Sequence, residues 1–237
     1  MSIKRTAAAV LNSALGVAGA RIVAAGSMDD LTRRPSVNPS PLPEGAEIYL
    51  RSDNPRLKEL KDRYRSLPLG AMGHSTWSEK HVGSINLQFF RADNPYVWQY
   101  RDNNTEIKYF LTSYYVQKMD RLGLLRSLQE DSLFGLYTYD FNGEFAVSRD
   151  LLDSITEIYF LERNLTISGL PKINILDIGA GYGRLAHRMV GALPNIGKYF
   201  CADAIPESTF ISEYYVHFRK IDHKAVAVPL FDIEEIL

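Results

Sequence analysis

Cysteine is almost absent. Of 237 residues only Cys201 is one, which excludes an intramolecular disulfide and suits a reducing, cytoplasmic setting. With nothing basic flanking it, Cys201 reads as a buried structural thiol rather than a reactive one. An excess of either charge is missing too: 27 basic residues against 28 acidic ones give a net charge of −1, leaving no electrostatic footprint for nucleic acid. No run reaches the ~18 apolar residues needed to span a bilayer, so no transmembrane segment is expected. Histidine is scarce. His74 and His81 flank Trp77 in HSTWSEKH, but no further ligand is visible beside them, so no metal is expected there. Structural packing and an acceptor-site contact are the two readings of that segment.

What is present is apolar residue enough for a core, 46% of the chain, in one large domain or a domain with an extension. Within residues 1–34, read as an N-terminal helix region, the first twenty imitate a secretion signal, with Lys4 and Arg5 ahead of an alanine-rich run. Asn12 and Ser13 interrupt that run, so the reading is a short helix that packs on the body or touches a membrane surface. Pro35, Pro39, Pro41 and Pro43 make residues 35–46 an extended linker.

Residues 47–147 read as a helical region with a hairpin. Asn54 caps and Pro55 opens a helix whose Leu57, Leu60, Tyr64 and Leu67 share one face. Its Arg56, Lys58, Lys61, Arg63 and Arg65 are left mostly to solvent. Aromatic residues crowd the stretch from Phe89 to Tyr115, including Tyr96, Trp98 and Tyr100. Ile107, Phe110, Leu111, Tyr114 and Leu122 keep helical spacing, which predicts core, with an acceptor-binding wall as the alternative. Asn142-Gly143 between alternating runs predicts a β-hairpin. Ser148 then caps a helix from Arg149 to about Leu165, with Leu151, Leu152, Ile155, Ile158, Tyr159 and Leu161 on a broad apolar face.

The chemistry gathers in INILDIGAGYGR. Ile173, Ile175, Leu176 and Ile178 predict a strand buried on both faces of a parallel sheet. Gly179, Gly181 and Gly183 allow a sharp turn and a close approach of backbone to a ligand, and Leu185 to Leu193 returns to helical spacing. A dinucleotide fingerprint would place glycine or alanine where Arg184 stands, which speaks against a nicotinamide-dependent oxidoreductase. Asp177, just ahead of the glycines, repels a pyrophosphate and suits a ligand that brings an ammonium group and no phosphate, as S-adenosylmethionine does. Lys198 to Ala202 reads as a second strand ending in Asp203, an acid placed for two ribose hydroxyls.

LDIGAGYGRLAHRM and DAIPESTFISEYY together resemble the class I S-adenosylmethionine-dependent methyltransferases. The likeness is closer to bacterial proteins described as sugar O-methyltransferases, and it extends upstream through VSRDLLDSITEIYFLERNL, LLRSLQEDSLFGLYTYDFNGE and HSTWSEKHV. The resemblance implies a Rossmann-like α/β fold and methyl transfer to an oxygen of a small-molecule or glycan acceptor. It places Asp177, Gly179, Gly181 and Gly183 around the methionine moiety and Asp203 on the ribose, with Glu157 or Arg163 near the methionine end. No catalytic base can be named; His74, His81 and the tyrosines are candidates.

The implied sheet has seven strands, whereas the roughly 60 residues from Asp177 onward supply about three, Ala225 to Leu230 being the last. Residues 148–237 are therefore expected to be the N-terminal half of the domain, a piece of a longer enzyme. The alternative is a non-catalytic cofactor-binding or interaction module. Either way the third strand should present an exposed apolar edge that invites pairing.

Overall fold

The computed structural model describes residues 42–67, 85–92, 105–141 and 145–236. The expected N-terminal helix, most of the proline-rich linker, His74, His81, Tyr96, Trp98, Tyr100 and the Asn142-Gly143 turn lie outside the described residues. In chain order the helices are α1 (Ala46–Tyr49), α2 (Pro55–Arg65), α3 (Thr105–Met119), α4 (Leu124–Ser127), α5 (Arg149–Leu165), α6 (Arg184–Ala192) and α7 (Pro206–Phe218). The strands are β1 (Ile173–Ile178), β2 (Ile196–Asp203) and β3 (Ala225–Pro229), joined through α6 and α7 into an all-parallel sheet in the order β1-β2-β3. Among the described residues this is an α/β fold with a three-stranded sheet.

The local signals explain most boundaries. The Asn54 side chain accepts the Arg56 N–H and Pro55 occupies the first turn of α2. The Ser148 hydroxyl accepts the Leu151 N–H at the start of α5. Among the described residues of the expected hairpin there is one antiparallel bridge, Tyr139 with Val147, closed by a reciprocal pair of 2.8 Å hydrogen bonds.

Three expectations change. First, β1 is only half-buried, being an outer strand among the described residues: Ile178, on the sheet face away from α6 and α7, is 74% exposed, and the strand buried as expected is the central one, β2. Among the described residues both β1 and β3 carry an unpaired outer edge, not β3 alone. The register puts Ile175, Tyr199 and Ala225 in one row on the face covered by α6 and α7, and Leu176, Phe200 and Val226 in a row on the other. Second, α3 buries Tyr109, Ser113 and Val116 and leaves Ile107 and Leu111 exposed. That helix is apolar on several sides, so spacing does not choose which side meets α5. Third, the basic face of α2 is partly engaged: Arg56 pairs with Glu213 and Lys61 with Glu207, both on α7.

Two apolar clusters build the interior. One joins α3 and α5 to α6 and the covered sheet face through Leu151, Ile155, Met189, Tyr199 and Cys201. The other joins α1, α2 and residues 85–92 to α7 through Leu57, Leu60, Phe90, Phe134 and Tyr215. A buried charge network lies between these elements. Glu130 accepts from Arg91 at 2.8 Å, from Arg188 at 2.7 Å and from Ser148, while Asp131 accepts from Arg91 at 2.8 Å and Arg219 at 2.6 Å. Arg91 and Glu130 are fully buried and each has a second counter-charge, Asp131 and Arg188 respectively, so removing either one leaves the network a buried charge short, at a cost of up to about 3–5 kcal/mol.

Burial would raise the Asp131 pKa, but the Arg219 hydrogen bond and the Arg91 charge overcome it and bring the value down to about 2. An unfolded aspartate titrates near ~3.9, so this carboxylate contributes stability above that pH and loses it as pH falls toward 2. Half-buried Asp177 and buried Asp203 are raised and act with the opposite sign, so the Asp131 share is a difference. Melting temperatures of the full chain between pH 5 and 2 should fall more steeply for wild type than for Asp131→Asn. Parallel curves would contradict the assignment.

Candidate functional site

The glycine turn hangs from the end of β2. Gly179 and Ala180 donate their N–H groups to the Ala202 carbonyl at 2.8 and 3.1 Å, and the Gly181 N–H reaches the Asp203 carboxylate at 2.9 Å. Gly179, Gly181 and Gly183 have φ of 85°, 59° and 87°, a region that side chains disfavour. They differ in surroundings. A Cβ at Gly179 or Gly181 would meet nothing within 4 Å, whereas one at Gly183 would lie 3.2 Å from the Ser212 hydroxyl. Gly183 therefore serves the close packing of the turn on α7, and the first two glycines border open space.

Asp203 ends β2, buried, and both its oxygens are engaged: one takes the Gly181 N–H and the other the Ile205 N–H, each at 2.9 Å. Burial raises its pKa, and these backbone donors pull it back. The carboxylate is thus turned inward as the anchor of the turn, and only second lone pairs are left for a ribose. Asp177 ends β1 half-buried and accepts one hydrogen bond, from the Tyr199 hydroxyl at 2.9 Å. Burial raises the Asp177 pKa; the Tyr199 hydrogen bond and the Arg184 charge oppose that, and Glu157 adds to it.

Arg184 opens α6. Its guanidinium forks onto the Glu157 carboxylate at 2.9 and 3.0 Å and donates to the Ser154 hydroxyl at 2.8 Å, tying α5 to the glycine turn. Tyr182, inside the turn, donates its buried hydroxyl to Asp150 near the start of α5. Of the two α5 residues implied by resemblance, Glu157 lies in this ion pair, and Arg163 is exposed farther along the helix. Near the turn, Glu157 pairs with Arg184 and Asp177 feels its charge, while the Asp203 carboxylate is held by backbone donors and repelled by Asp177, so carboxylates outnumber the guanidinium there.

Tyr199, Tyr182 and Asp150 are not read from the sequence. Tyr199 carries a weak signal, since alternation from Cys201 puts it on the Asp177 face of the sheet; Tyr182 and Asp150 carry none. Cys201 is buried, and burial pushes its thiol up to about 12, which suits a structural residue. Among the described residues no group of His, Cys, Asp and Glu side chains converges as a metal site. No described helix is long and apolar enough to cross a membrane. A cavity of about 510 Å3 lies elsewhere, lined by Leu125, Arg126, Gln129, Glu130, Phe145 and Ala146. Its acid, Glu130, is already committed to two arginines and a serine.

No protein-family model matches the sequence, and comparison with curated proteins finds no relative of it.

The anchoring role of Asp203 is testable. In Asp203→Asn the amide can accept only one of the two N–H groups and turns an NH2 toward the other, so the substitution should cost about 2 kcal/mol. That lowers the melting temperature by roughly 5 °C. An unchanged melt would show that the carboxylate does not hold the turn.

Proposed function

We propose that this chain binds S-adenosylmethionine at the glycine turn and transfers its methyl group to an oxygen, with a sugar hydroxyl as the acceptor. The observation that carries the reading is the pairing of open space at Gly179 and Gly181 with carboxylates at the ends of two adjacent strands. That environment favours a cationic, phosphate-free nucleoside and disfavours a pyrophosphate. The residues fit such a cofactor: Asp177 would receive its cationic amino-acid end, and the first turn of α6, which has no side-chain cap, would offer backbone donors to its carboxylate. Asp203 would hold the turn in shape and use its remaining lone pairs for the ribose.

When bound, S-adenosylmethionine supplies a methyl group already made electrophilic by its sulfonium. The chain's own work is then to orient the cofactor and to hold the acceptor oxygen in line with it, with a base taking the hydroxyl proton. The sugar hydroxyl as acceptor rests on the resemblance to bacterial sugar O-methyltransferases. A second reading, a non-catalytic cofactor-binding module that pairs with another chain, is favoured by the exposure of Ile178 and Val226 on the sheet face away from α6 and α7. Transfer of labelled methyl from S-adenosylmethionine to a hydroxylated glycan separates the two.

Gly181→Val would fill the open space and strain a backbone at φ 59°. Calorimetric titration of the full chain with S-adenosylhomocysteine should show wild-type binding that falls at least tenfold in the variant, with the helical circular dichroism retained. Equal affinity in the two proteins would overturn the site.

A further inference from the structure

We propose that Tyr199 is a positioning residue that fixes the Asp177 carboxylate for a cationic ligand, an inference that rests on the function proposed above. Tyr199 is wholly buried in the central strand, opposite Ile175 and two positions back from Asp177 on the same sheet face. Its ring therefore runs along the strand toward the end of β1, and the hydroxyl reaches the carboxylate at 2.9 Å. This is the one hydrogen bond Asp177 accepts among the described residues; its second oxygen carries none. Burial, and then the Asp177 charge, raise the Tyr199 pKa far beyond the ordinary phenol range, so the hydroxyl keeps its proton and always donates.

The geometry has two consequences. A half-buried aspartate with free rotation about its side-chain bonds would turn toward any donor nearby, Arg184 included. One fixed hydrogen bond selects a single rotamer and leaves one oxygen free for the ligand. The same bond favours the ionised carboxylate against the desolvation that opposes it. Every other charge acting on Asp177 belongs to a different element: Arg184 of α6 supports ionisation, while Glu157 of α5 opposes it, and Asp203 at the end of β2 is coupled to it by like charge. Arg184 is already committed to Glu157 and Ser154. The phenol is thus the direct partner that Asp177 has.

The test is the pH dependence of S-adenosylhomocysteine binding, measured by calorimetry from about pH 4.5 to 8 on the full chain. In wild type, affinity should fall as Asp177 protonates at the acid end. In Tyr199→Phe this acid limb should move to higher pH by about one unit, with affinity at pH 7 weakened about three- to tenfold. Tyr199→Phe should cost nothing further when Asp177 is already Ala, whereas a purely structural role for the phenol would add in full. Asp177→Asn, which keeps an acceptor for the phenol, should remove the Asp177 share of the acid limb and leave only that of Asp203, whether or not Tyr199→Phe folds well. Wild-type binding with an unmoved limb in Tyr199→Phe, or an acid limb in Asp177→Asn identical to that of wild type, overturns this inference and leaves the proposed function standing. No wild-type binding at any pH overturns both.

Discussion

The arrangement depends on one carboxylate meeting two backbone amides. Asp203 takes the Gly181 N–H with one oxygen and the Ile205 N–H with the other, so the loop after β1 and the entry to α7 share an anchor at the end of β2. Charge-assisted hydrogen bonds of this kind are stronger than neutral ones, and burial keeps water from replacing them. With Gly181 held there, Gly179 and Ala180 close on the Ala202 carbonyl and the turn takes positive φ at all three glycines. The open space beside Gly179 and Gly181 follows from that conformation.

A second layer of polar contacts orients what surrounds the turn. Tyr182 to Asp150 and Arg184 to Glu157 and Ser154 join the turn to α5, and Tyr199 sets Asp177 from beneath. Farther out, Glu130 and Asp131 draw Arg91, Arg188 and Arg219 together, linking residues 85–92 to α6 and α7. In these layers Glu130, Asp131, Glu157 and Asp203 have donors on both oxygens, whereas Asp150 and Asp177 each accept on one.

Part of this is legible in the residues alone. The cap at Ser148, the strand-turn-helix at residues 173–192 and the acid at the end of β2 are readable because each is written in a few adjacent residues. The burial of β1 is not, because a run of isoleucines gives the strand but not its place in the sheet, and β1 stands at an edge. Which side of α3 faces inward is hidden for a related reason: Ile107 and Leu111 are as apolar as Tyr109 and Val116, and only the packing partner decides. Tyr199, Arg91 and Asp131 are invisible as a set because their partners lie 22 to 88 positions away.

The most direct measurement is amide hydrogen exchange over residues 177–184 of the full chain, with S-adenosylhomocysteine and separately with NAD. An acid-flanked turn that takes a phosphate-free nucleoside predicts slower exchange there with S-adenosylhomocysteine and none of that slowing with NAD. Slowing by NAD, or no response to S-adenosylhomocysteine, would contradict the account.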